Sequence, residues 1–207
     1  MHIPDGFLAP KTFTGFWGVS MITLGYAIKK TTKKLEDRSI PLLGVTAAFI
    51  FAAQMLNFPV AGGTSGHFMG GVLACILLGP CCGLLVMATV LTIQCIVFQD
   101  GGLTALGANI FNMGIIGSLV AYYIYTGLKK IIPDMIACFI SAWLSIVLSA
   151  ICCAIELAMS GIVPLKICVL SMAGWHALIG IGEGMITVGV ISFIKKVRCD
   201  LLELEKV

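Results

Sequence analysis

Charge is scarce in this sequence. Aspartate, glutamate, lysine and arginine supply only 11% of its 207 residues, against the roughly 25% usual in a soluble globular chain. That shortage excludes an ordinary water-soluble domain, and the small net charge of +3 leaves no broad basic face for nucleic acid. Nine cysteines are present, yet none forms a CxxC pair or has a histidine at zinc-finger spacing, so a zinc ribbon or a disulfide framework is excluded. Most lie inside apolar runs, where a thiol behaves as a small hydrophobe. The sequence contains no HExxH for a zinc protease and no GxxxxGK[ST] loop for a nucleotide phosphate. A basic stretch ahead of the first apolar run is also missing, so no cleavable signal peptide is expected.

What is abundant is apolar surface: 59% of the residues are hydrophobic, and the mean hydropathy is +1.06. The expectation is an all-α integral membrane protein. A hydrocarbon core about 30 Å thick takes roughly 20 helical residues to cross. Runs of that kind fall at 12–29, 40–58, 67–79, 80–98, 106–128, 134–159 and 172–194. The third is short and is divided from the fourth only by Gly79-Pro80, so the pair reads as a tight hairpin or one interrupted element. Seven crossings put the termini on opposite sides. Lys29, Lys30, Lys33, Lys34, Arg38, Lys129, Lys130, Lys195, Lys196, Arg198 and Lys206 then share one side, eleven of the thirteen Lys and Arg, leaving Lys11 and Lys166 on the other. Basic residues collect inside, so the amino terminus is expected outside and the carboxyl terminus inside. With no internal repeat and no linker, residues 1–207 read as one membrane domain: an amino-terminal hook 1–11, a helical bundle 12–198 and a short tail 199–207.

The first two residues can hold a metal. The free amine of Met1, the deprotonated amide of His2 and the His2 imidazole are three nitrogens that close two chelate rings on one ion, leaving one corner of a square plane open. Such tetragonal nitrogen coordination suits Ni²⁺ or Cu²⁺. Retention of Met1 is expected because the bulky His2 blocks trimming of the initiator. Pro4 and Pro10 hold Ile3 and Ala9 extended, and Asp5-Gly6 is a natural turn. The decapeptide thus becomes a stiff hook able to fold over the bundle.

The charge count gathers the hook and the loops 59–66, 99–105 and 160–171 on the outer face. In Asn57-Phe58-Pro59-Val60-Ala61-Gly62-Gly63-Thr64-Ser65-Gly66-His67, three glycines let a backbone approach a ligand, Thr64 or Ser65 is placed to cap a helix, and a histidine opens that helix. His67 is therefore expected to fill the fourth corner. Asn109, a turn inside the fifth span, suits either a hydrogen bond to the hook or a ligating imidazole, or packing between helices. His176 and Glu183 share a face of the last span and are read as supporting or structural groups. Gly44, Ala48 and Ala52 form a smooth stripe on the second span, suited to packing inside the bundle or to the close approach of another helix.

Taken together, Met1-His2-Ile3-Pro4-Asp5-Gly6-Phe7, Phe58-Pro59-Val60-Ala61-Gly62-Gly63-Thr64-Ser65-Gly66-His67 and Asp100-Gly101-Gly102-Leu103-Thr104-Ala105-Leu106-Gly107-Ala108-Asn109 resemble the CbiM/NikM proteins over essentially the whole chain. These are the metal-binding S components of energy-coupling-factor transporters for cobalt and nickel. The resemblance implies an S-component core with an extra amino-terminal helix, and metal held by Met1, His2 and His67. It implies as partners a transmembrane coupling (T) protein, two cytoplasmic ATPases and often a small accessory membrane protein, with the Gly44, Ala48, Ala52 stripe presented to the coupling protein. The expected role is a non-enzymatic uptake subunit in a prokaryotic plasma membrane, without a catalytic cofactor, carrying Ni²⁺. Low-spin Ni²⁺ suits an amide-containing nitrogen plane better than Co²⁺, which is the alternative cargo. A vitamin-binding S component would want a roomier aromatic pocket, and a membrane metalloenzyme would want a catalytic motif.

Overall fold

The computed structural model describes residues 1–33, 40–56, 58–60, 64–198 and 201. Its helices are α1 (Pro10–Thr32), α2 (Ile40–Gln54), α3 (Gly71–Leu78), α4 (Pro80–Phe98), α5 (Leu106–Leu128), α6 (Asp134–Met159) and α7 (Leu165–Val197). A two-stranded antiparallel hairpin, Phe58–Val60 with Thr64–Gly66, lies between α2 and α3. Among the described residues four helices, α4 to α7, are long and apolar enough to cross a membrane. Helix α2 is apolar but has only 15 residues, and α1 has the length but is diluted by Thr, Ser and Gly.

Proline and glycine set several boundaries. Pro10 opens α1 after an extended Ala9, because its missing N–H costs nothing in the first turn. Gly79, at φ +79°, ends α3, and Pro80 starts α4. The Gly79-Pro80 junction is thus a hairpin between two helices, and it closes tightly because Gly83 faces the Cys75 backbone, where a Cβ would come within 2.8 Å. Helix α5 carries a π-helical stretch over Ile110–Val120; such widened turns recur at functional sites.

Helix α3 is the centre of the molecule. All eight of its residues are buried, and Val72, Leu73, Ile76 and Leu77 join a core with Met87, Leu91, Met113 and Ile146. Eight residues rise only about 12 Å, so α3 is shorter than the helix expected over 67–79. Around it α6 packs on α7, with Gly180 against Trp143 and Gly184 against Phe139, the close approach that small residues allow between membrane helices.

The expected spans 80–98, 106–128 and 134–159 coincide with α4, α5 and α6. The others need correction. The span 40–58 stops at Gln54 because residues 58–60 enter the hairpin, and 172–194 extends to Leu165–Val197, which shortens the loop expected over 160–171. The first helix runs beyond 12–29 to Pro10–Thr32, so the hook is 1–9. His67 does not open a helix: α3 starts at Gly71, after Gly70 at φ +77°. Neither Thr64 nor Ser65 is its N-cap, since both lie in the second strand, paired with Val60 and Pro59. The side chains of Thr64 and Ser65, the loop tip 61–63 and the tail from 202 lie outside the described residues.

Candidate metal centre

The hook is sewn to the loop between α4 and α5. Asn109 Oδ1 accepts the Ile3 N–H at 2.8 Å, while Asn109 Nδ2 donates to the Ile3 carbonyl at 3.1 Å. The Gly102 N–H reaches the same carbonyl at 2.9 Å. Two residues on, Asp5 accepts the Thr104 N–H at 2.7 Å and hydroxyl at 2.5 Å through Oδ1, and the Leu103 N–H at 3.1 Å through Oδ2. These bonds, led by the Thr104 hydroxyl, hold the Asp5 carboxyl below its usual value. Gly102 is required by proximity, since a Cβ there would overlap the Asp5 main chain. The turn at Asp5-Gly6 forms as expected, with Gly6 at φ +86°. Helix α1 supports the same platform: Trp17 Nε1 donates to Thr104 O at 2.9 Å and Ser20 Oγ to Gly107 O at 2.7 Å.

This stitching delivers residues 1 and 2 into the interior. The Met1 amine is buried, and desolvation lowers its pKa against the opposing pull of Cys153 and Asp100. His2 is likewise driven well below its usual value by burial, then by the Met1 charge and His67. Its ring stacks on His67 with centroids 5.1 Å apart and planes 26° apart. Burial, followed by the Met1 charge, lowers His67 to about 3, so both imidazoles are neutral near pH 7. His67 Nδ1 lies 2.8 Å from the Phe68 carbonyl. A carbonyl only accepts, so the ring proton sits on Nδ1 and Nε2 keeps its lone pair. That Nε2 is buried with no hydrogen-bond partner.

The irregular segment carrying His67, between the second strand and α3, is fixed from two helices. Glu183 of α7 accepts the Met69 N–H at 2.7 Å and the Gly70 N–H at 2.8 Å, and Gln54 of α2 donates to the Met69 carbonyl at 2.7 Å. Among the described residues, no three His, Cys, Asp or Glu side chains group to hold a metal. The donors that do converge are the Met1 amine, His2 and His67, a set that needs main-chain nitrogen.

Comparison with known proteins accords with this geometry. Residues 2–201 match the family described as CbiM, cobalt uptake substrate-specific transmembrane region. The chain belongs to the CbiM family. It is 49% identical to a putative fused nickel transport protein NikMN of Archaeoglobus fulgidus, over 98% of this chain and 68% of that protein. It is 33% identical to a putative cobalt transport protein CbiM of Methanocaldococcus jannaschii, over 98% of this chain and 90% of the other. A crystal structure described as a transition metal transporter superposes with a TM-score of 0.89 at 32% identity, covering 95% of this chain and 93% of that one. Membership of the CbiM family, with four apolar helices of spanning length, identifies a multi-pass membrane protein of metal transport rather than an enzyme.

The expected site residues of this CbiM chain are placed as follows. Met1, His2 and His67 are brought together. Asn109 takes the hook-binding role. Glu183 braces the segment behind His67. His176 spends Nδ1 on the Met172 carbonyl of its own helix at 2.7 Å, within electrostatic reach of Met1. Gly44, Ala48 and Ala52 are exposed along α2. Four contributors went unassigned from sequence: Asp5 as a clasp, Gln54 on Met69, Gln94 at 3.2 Å from His2 Nε2, and Asp100 at 3.4 Å from His2 Nδ1. The two glutamines did carry a signal, as uncharged amides inside apolar helices that must find partners.

Proposed function

We propose that this chain is the substrate-specific subunit of an energy-coupling-factor uptake transporter and captures Ni²⁺ at the outer face of the plasma membrane. The ligands in this reading are the Met1 amine, the deprotonated His2 amide, His2 Nδ1 and His67 Nε2. The observation that carries it is the buried, unpartnered Nε2 of His67 beside a stacked His2 and a buried amine. Four nitrogens including an amide anion impose a strong square-planar field, which favours Ni²⁺ over Co²⁺, an ion that readily keeps axial ligands. The nickel name of the 49%-identical relative supports the same choice, while Co²⁺ remains the second reading, carried by the cobalt name of the 33%-identical one. Transport energy comes from partner ATPases acting through a transmembrane coupling protein that docks on the Gly44, Ala48, Ala52 face, with a small accessory membrane protein completing the assembly. Hook and loops hold the ion until reorientation of the subunit releases it inside.

Anaerobic titration of the purified full-length chain with Ni²⁺ and Co²⁺ tests this reading. A diamagnetic planar nickel spectrum and tighter binding of Ni²⁺ are expected. Tighter cobalt binding, or a six-coordinate nickel spectrum, would overturn the nickel assignment.

A further inference from the structure

We propose that Gln94 sets the tautomer of His2 and thereby keeps Nδ1 of that ring free to chelate. The inference rests on the metal reading above for its purpose, but not for its geometry. The His2 ring lies between two acceptors. Gln94 Oε1 is 3.2 Å from Nε2, and Asp100 Oδ1 is 3.4 Å from Nδ1. A neutral imidazole has a single proton to offer, so the two acceptors compete for it.

Chelation decides which outcome is useful. Once the Met1 amine and the His2 amide anchor an ion, Nδ1 closes a six-membered ring with that amide, whereas Nε2 sits on the far edge of the imidazole and points away. A proton on Nδ1, held by Asp100, blocks the site. A proton on Nε2, held by Gln94, opens it.

Gln94 is placed to win. Its side chain is fully buried in α4, so its oxygen is shielded from water and strengthened as an acceptor. Its main-chain carbonyl accepts the Asp100 N–H at 3.0 Å, so the same residue anchors the turn that carries the competitor. Asp100 Oδ1 belongs to a side chain that is 27% exposed, against 6% for His2, and at 3.4 Å its contact with the ring is the longer of the two. A Gln94 amide turned the other way would present an N–H to Nε2 and force the proton onto Nδ1, so the tautomer also reports the orientation of Gln94.

The test uses full-length, metal-free protein labelled with ¹⁵N-histidine near neutral pH, with His2→Ala serving only to assign the His2 resonances. The wild-type ring is expected as the Nε2–H tautomer. Gln94→Met removes the acceptor at similar volume. It should move the proton to Nδ1 and weaken Ni²⁺ binding roughly 10–100-fold, the usual cost of losing an outer-shell partner, while the nickel spectrum at saturation stays the same because the four nitrogens are unchanged. Gln94→Glu returns an acceptor and should recover both the tautomer and most of the affinity, which a purely structural role would not do. If Gln94→Met does not fold, Gln94→Asn withdraws the acceptor by one methylene and carries the same expectation. An Nδ1–H tautomer in the wild type, or an unchanged tautomer without the acceptor, would sink the proposal. Should the wild type bind no nickel, the metal reading fails, yet the tautomer of the metal-free protein still decides the role of Gln94.

Discussion

At the scale of single residues, burial does most of the chemical preparation. Desolvation disfavours the charged forms of the Met1 amine, His2 and His67, which lowers the cost of the deprotonated forms that metal binding requires. His67→Ala removes a buried ring nitrogen without a hydrogen-bond partner and is expected to abolish planar nickel binding, read by titration, while the fold persists. Asn109 serves a different purpose. It satisfies both the N–H and the carbonyl of Ile3 in the interior; because the carbonyl keeps the Gly102 N–H, Asn109→Ala leaves the buried Ile3 N–H unpaired and should lower unfolding free energy by about 1–3 kcal/mol, checked by denaturant or thermal unfolding in detergent. Asp5 brings a pH dependence. Its folded pKa lies below the ordinary 3.8, so the unfolded chain binds its proton first as pH falls. The stability from the Asp5 clasp is then present above about pH 4 and lost as pH drops through the lower folded value. The protection factor of the Thr104 amide should fall over that window in the wild type and be low at every pH in Asp5→Ala.

At the scale of elements, the hook and the segment 67–70 are irregular chain held by side chains from helices. Gly102 shows how tight this is, because the Asp5 backbone occupies the space a Cβ would need. Gly102→Ala should push the hook outward and weaken Ni²⁺ binding by roughly tenfold or more, measured by calorimetry. Helix boundaries at 80–98, 106–128 and 134–159 were legible because length, hydropathy and the Pro80 and Pro133 punctuation are local properties. The region 55–70 was not. Its Gly and hydroxyl residues suit a helix cap as well as a hairpin, and the choice was made elsewhere: Glu183 and Gln54 claim the Met69 and Gly70 backbone, which keeps that stretch out of the helix and delays α3 to Gly71.

At the scale of the whole molecule, the bundle around the short buried α3 gathers the amino terminus and the loops in one place. The amine of Met1 is a ligand only if nothing precedes it, so adding one residue before Met1 is expected to eliminate high-affinity nickel binding without changing helix content, as read by titration and circular dichroism. The apolar runs, the scarcity of charge and the metal-ready Met1-His2 pair were determined by the sequence alone, because hydropathy and short chelate rings depend on neighbours along the chain. Only the tertiary structure decided that His67 sits in irregular chain beside His2, that Asp5 clasps Thr104, and that Gln94 and Asp100 flank the first histidine. Those pairings join residues that lie 65 to 99 positions apart in the sequence. A buried donor or acceptor takes whichever partner the packed helices bring within about 3 Å, and no local pattern records which one that will be.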